Sequence, residues 1–154
     1  ARYHTVYREQ ARKYGYEASG GQLGWAVPVY VADSDAKARE EAAPALEALF
    51  NNYLRMPWEM LVPPGYTSMA SVKNLMKLRT SLGSRPRRTA DELIGDGTAV
   101  VGSPATVRDK VARMRDRTGF DILVPMLQFG TLDDELTRQK FERFASEGRP
   151  HSRD

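Results

Sequence analysis

The residues able to do chemistry in this chain sit where its apolar runs end. Ala99-Val100-Val101 stops at Gly102-Ser103-Pro104, and Ile122-Leu123-Val124-Pro125-Met126-Leu127 stops at Gln128-Phe129-Gly130. Ser103 can cap the first free amides of a helix, and Pro104 suits its first position. Gly102-Ser103 therefore offers N–H donors and a positive dipole end, which is a candidate anion site as well as an ordinary helix cap. Gln128 can donate a hydrogen bond at a strand end, and Phe129 can pack on a planar ring; the same pair also suits a polar strand end beside a core aromatic. Trp58 and Tyr66 lie in a Pro-rich, aromatic stretch and can line a substrate pocket or pack that loop down.

Other chemistries are less well served. There is no cysteine, so disulfides, thiolate catalysis and Cys-based zinc sites are excluded. The two histidines, His4 and His151, lie near the ends of the chain, where solvation is the ordinary fate of an imidazole. Asp33, Asp35, Asp133 and Asp134 read as helix-start carboxylates, and Glu40-Glu41 and Asp91-Glu92 as solvated helical charges. No spacing asks for a metal, no Gly-rich loop matches a nucleotide fingerprint, and no catalytic residue stands out. The net charge is only +3. Basic residues gather at Arg85-Pro86-Arg87-Arg88 and over Arg108, Lys110, Arg113, Arg115 and Arg117. The second group lies opposite Val107, Val111 and Met114, as a solvated helix face should. The expectation is no nucleic-acid partner. No apolar stretch approaches the ~20 residues of a membrane helix, so a cytoplasmic protein without a membrane partner is expected.

The elements that position these residues follow from periodicity and punctuation. Residues 3–14 read as a helix broken by Gly15. Trp25 to Ala32 is a strand apolar on both faces, hence buried on both. Its Pro28 removes a ladder donor and predicts a bulge or an edge position. Asp33-Ser34-Asp35 caps a helix carrying Ala38, Ala42, Ala45, Leu46, Leu49, Phe50 and Tyr53, which Pro44 should kink or divide. Residues 56–97 form an insertion, with a helix over 71–82 and a short turn from Thr89 or Asp91 to Leu93. Residues 98–102 and 121–128 are strands joined by a helix that ends at Gly119. The last helix is capped by Thr131 or Asp133 and carries Leu136, Phe141 and Phe144. Two strands joined through one helix are parallel, so the fold class is α/β. The whole of 1–154 reads as a single segment.

Three groups of phrases carry a resemblance. They are Pro28-Val29-Tyr30-Val31-Ala32-Asp33-Ser34-Asp35-Ala36-Lys37-Ala38-Arg39-Glu40-Glu41-Ala42, then Pro63-Pro64-Gly65-Tyr66-Thr67-Ser68, then Val100 to Val107 with Gly119-Phe120-Asp121 and Gln128-Phe129-Gly130. In this order and spacing they resemble the closing part of the bacterial luciferase-like flavin monooxygenases. The resemblance implies part of a (β/α)8 TIM barrel, with residues 25–32, 98–102 and 121–128 as strands six, seven and eight, neighbours in that order. It places strands one to five, and most loops that hold the flavin phosphate, outside this chain.

The function so implied is flavin-dependent oxidation of a small organic substrate with reduced FMN and O2. Hydride transfer with a deazaflavin (F420) is the alternative within the family. A non-catalytic α/β interaction module is the alternative outside it. Under the resemblance Gly102, Ser103, Gln128 and Phe129 are the cofactor-binding candidates and Trp58 and Tyr66 the substrate-binding ones. The partners expected are the substrate and either the remainder of the barrel or further copies of the chain.

Overall fold

A computed structural model describes residues 2–54, 65, 67–82 and 87–148. Three strands alternate with helices: α1 (Arg2–Lys13), β1 (Gly24–Val31), α2 (Asp35–Ala48), α3 (Met69–Leu82), α4 (Ala90–Gly95), β2 (Val100–Gly102), α5 (Pro104–Thr118), β3 (Ile122–Met126) and α6 (Asp134–Arg143). The caps fall among the residues the sequence offers, with Thr89 rather than Asp91 and Asp133 rather than Thr131 at the two undecided ends. Ser34, Ser103 and Asp133 accept from Lys37 N, Thr106 N and Leu136 N. Thr89 and Glu92 form a reciprocal capping box on α4. Pro44 does not divide α2, which runs on to Ala48. Pro44 and Glu40 are both exposed, so water can take the carbonyl that Pro44 leaves unbonded.

All three strands are parallel, in the order β2-β1-β3. This corrects the expected neighbour order, in which residues 98–102 would stand between the other two strands. β1 takes the centre because it is the longest strand and the one apolar on both faces. Residues 27–32 are all buried, and only a central strand has both edges and both faces covered. Pro28 therefore lies in the central strand, not at an edge. Gly24–Pro28 pair with β3 and Val29–Val31 pair with β2, so Pro28 falls where one ladder ends and the other begins.

The connections step first to one side of β1 and then across it to the other. Right-handed crossovers in opposite directions put their helices on opposite faces. The packing follows this. Tyr30, Ala32 and Val101 meet Ala38, Ala42, Leu46, Leu93 and Phe129 in one core. Val27, Val29, Val31 and Val100 meet Val107, Val111, Phe120 and Phe144 in another.

Two expected solvent and core assignments change. The basic group on α5 is only partly a free face: Lys110 Nζ donates to Val101 O at 3.0 Å, Arg115 pairs with Asp121 at 3.0 Å, and Arg108 reaches Glu147 O. On α6, Phe141 is exposed while Lys140 is buried. α1 buries only Ala11 and is held by polar ties, His4 Nε2 to Gly24 O at 3.2 Å and Arg8 to Thr118 O and Gly119 O at 2.8 and 3.0 Å. Among the described residues no helix is long and apolar enough to cross a membrane.

Leu46 is fully buried between α2 and the first core. Leu46→Ala should cost about 2–5 kcal/mol in urea unfolding, with no other change in secondary structure.

Candidate functional site

The carboxyl ends of parallel strands gather backbone amides and helix N-termini, and here they gather charge as well. β1 leads into Asp33-Ser34-Asp35, and β2 into Gly102-Ser103. The two turns are tied: Ala32 N donates to Gly102 O at 3.2 Å, Ser103 N to Asp35 Oδ1 at 2.7 Å, and Thr106 Oγ1 to Asp35 Oδ2 at 3.0 Å. The backbone hydrogen bond from Ser103 is the main reason the Asp35 carboxyl stays below its ordinary range. Asp35 thus places an internal carboxylate at the start of α5, where a bound anion would otherwise sit. Gly102 is required there, because a Cβ would lie 2.9 Å from Asp35 Oδ1 and 2.7 Å from the Thr106 methyl.

The end of β3 differs. Leu127 and Phe129 are buried while Gln128 is exposed, so the alternation along the strand carries through its end. Phe129 packs edge-on against Tyr30, with ring centroids 6.5 Å apart and planes at 71°. Gly130 follows at φ +59°, and a Cβ there would come 2.0 Å from Ala45 O, so this turn closes on α2 only as glycine. Because β1 stands between β2 and β3, Gly102-Ser103 and Gln128-Phe129 flank it on opposite sides. Two strand spacings, about 10 Å, separate them. Trp58 and Tyr66 lie outside the described residues.

Sequence reasoning missed a buried polar triad beside these ends. Lys140 Nζ meets Glu41 Oε2 at 3.0 Å, the Tyr30 hydroxyl donates to the same oxygen at 2.9 Å, and the ammonium lies 4.9 Å from the Tyr30 ring centroid. Burial, reinforced by Glu41, raises the Tyr30 phenol far above its ordinary value. Burial alone would raise Glu41 too, but the hydrogen bonds from Lys140 and Tyr30 outweigh it and hold the carboxyl below its usual range. Glu41 is therefore not a solvated helical charge. The signal was present in the spacing: Glu41 lies on the Ala38/Ala42/Ala45 stripe, and Lys140 falls between Leu136 and Phe144 at steps of four. Nearby, Lys37 and then Arg143 hold the exposed Asp33 carboxyl down to about 2. Stability from that group is present above its ordinary 3.8 and is lost as the pH falls toward 2.

The triad sets a prediction. Lys140→Met leaves Glu41, among the described residues, with one hydrogen-bond donor, Tyr30, and with Lys37 4.0 Å away, and the Glu41 side chain is only 21% exposed. The variant should lose about 2 kcal/mol in urea unfolding, and adding Glu41→Leu should recover part of it.

Among the comparisons with known proteins, one identifies a family and another a fold. Curated proteins give no match. Solved structures similar in fold include two monooxygenases. One is the monooxygenase RslO1 from Streptomyces bottropensis, at 17% identity and TM-score 0.58 over 94% of this chain and 35% of that one. The other is a type II Baeyer–Villiger monooxygenase in complex with FMN, the oxygenating constituent of 3,6-diketocamphane monooxygenase from the CAM plasmid of Pseudomonas putida. It matches at 22% identity and TM-score 0.58 over 93% of this chain and 37% of that one. The chain thus spans little more than a third of the length of either. The luciferase-like monooxygenase family profile matches residues 2–121, most of the chain, and the chain belongs to that family.

Proposed function

We propose that this chain is the carboxyl-terminal part of a luciferase-like, flavin-dependent monooxygenase that oxidises a small organic substrate with reduced FMN and O2. The observation that carries the reading is the family match over residues 2–121, on a chain whose parallel strands point their polar ends the same way. FMN is preferred to a deazaflavin because a similar structure is described with FMN.

The residues fit the cofactor unequally. Gln128 is exposed beyond β3, without a protein partner among the described residues, and suits the carbonyl edge of an isoalloxazine. Phe129 supports that position from the core rather than facing the ligand. Gly102-Ser103 suits a phosphate less well, because Asp35 already takes the Ser103 amide and its charge repels an anion. A phosphate would bind there only with Asp35 displaced. When bound, the flavin would supply the two electrons that activate O2. The chain's own part is to orient the ring at Gln128 and to anchor the strand ends through Asp35 and the Glu41 triad.

Exposed apolar side chains support a larger assembly. Ile122, Val124 and Met126 are 46%, 50% and 38% exposed on one face of β3, and α1 exposes Tyr3, Val6 and Tyr7. Monomeric domains seldom leave such surfaces open. In the barrel reading further strands cover them, and β3 leaves β1 for the free edge of β2; in isolation, copies of the chain would cover them.

The test is a titration of oxidised and reduced FMN into the chain, alone and joined to the remaining strands. Binding is expected with the strands restored. Gln128→Leu should weaken it by about 1 kcal/mol and leave the melting temperature within a degree or so. Failure to bind flavin in any form would favour a non-catalytic interaction module.

A further inference from the structure

At the amino-terminal ends of β1 and β2, away from the strand ends just described, the chain has a concave site. A cleft of about 420 Å³ opens there, within the size range of small-molecule sites. One wall is α5, which presents Lys110, Arg113, Met114 and Arg117 at steps of three and four. The opposite wall is the Gly95-Asp96-Gly97 turn with Ile94, and Trp25 lies at one end.

The charges do not cancel within it. Asp96 is committed elsewhere: its carboxylate accepts from Thr98 N and Oγ1 at 3.0 and 2.6 Å and pairs with Arg88. Lys110 donates to Val101 O. Arg113 and Arg117 have no side-chain partner among the described residues, although Arg115 between them is paired with Asp121. Two free guanidiniums and an ammonium thus border one cleft, with one neutralised carboxylate. Trp25 is held tilted against Phe120, ring centroids 5.6 Å apart, and is only half-buried.

We propose that this cleft binds an organic phosphate: Arg113 and Arg117 take the phosphate, and a planar group of the ligand lies against Trp25. Guanidinium forks match phosphate oxygens, and an indole face suits a flat ring. None of its residues belongs to the carboxyl-end turns, so its test is separate from the flavin titration; the cleft is that of the chain with β3 beside β1, where Trp25 pairs with Leu123.

The test uses Trp25 emission in the 154-residue chain carrying Trp58→Phe, which removes the second of the two tryptophans. The probes are AMP, adenosine and inorganic phosphate. AMP is expected to change the emission saturably, to bind at least about tenfold more tightly than either fragment, and to weaken as salt rises. Arg113→Ser/Arg117→Ser should weaken AMP by at least about tenfold while leaving the far-ultraviolet spectrum and the melting midpoint unchanged. Unchanged AMP affinity in that variant would overturn the proposal. So would equal affinity for AMP and inorganic phosphate, or no saturable response to AMP in the unsubstituted cleft.

Discussion

Every other feature of this fold follows from the need to cover β1 on four sides. Val27 to Ala32 have no polar side chain free for water, and the one hydroxyl, on Tyr30, is spent on Glu41. A strand of that kind is stable only with a neighbour at each edge and a helix on each face. With three strands available, β2 and β3 must take the two edges. Once they do, the crossovers through α2 and α5 are driven to opposite faces, and two separate cores result.

The same arrangement decides what the strand ends can do. β1 brings Asp33 and Asp35 between the other two ends, so carboxylate, not open amide, dominates the side toward β2. The side toward β3 is the open one, where Gln128 faces solvent above a packed Phe129. α6 then fastens the ends through Lys140 to Glu41 and Arg143 to Asp33. In the proposed reading a ligand ring would meet a preset surface at Gln128, whereas an anion at Gly102-Ser103 would have to compete with Asp35.

Much of this was legible before any coordinates. Caps at Ser34, Thr89, Ser103 and Asp133 are local, since each needs only a side chain and an amide three residues on. The two-sided burial of β1 was legible from its unbroken apolar run for residues 27–32, but not for its start, where Ala26 is exposed and Trp25 half-buried. Strand order was not, because it depends on which strands are available to cover which, and three short parallel strands allow more than one arrangement. The fate of Asp35 was hidden for a similar reason: its partner Ser103 is far away in sequence. Glu41 was misread, and its partner Lys140 passed over, because a charge is ordinarily solvated, and only its position on an apolar stripe says otherwise.

The central claim is that β1 stands between the other two strands, and the measurement that tests it most directly is the set of cross-strand nuclear Overhauser contacts in the isotope-labelled chain. Contacts between Ala26 and Val124 and between Val29 and Val100 are predicted, the register of the two ladders. Contacts joining Val100 or Val101 to Val124, without any between β1 and β3, would place β2 at the centre and contradict the account.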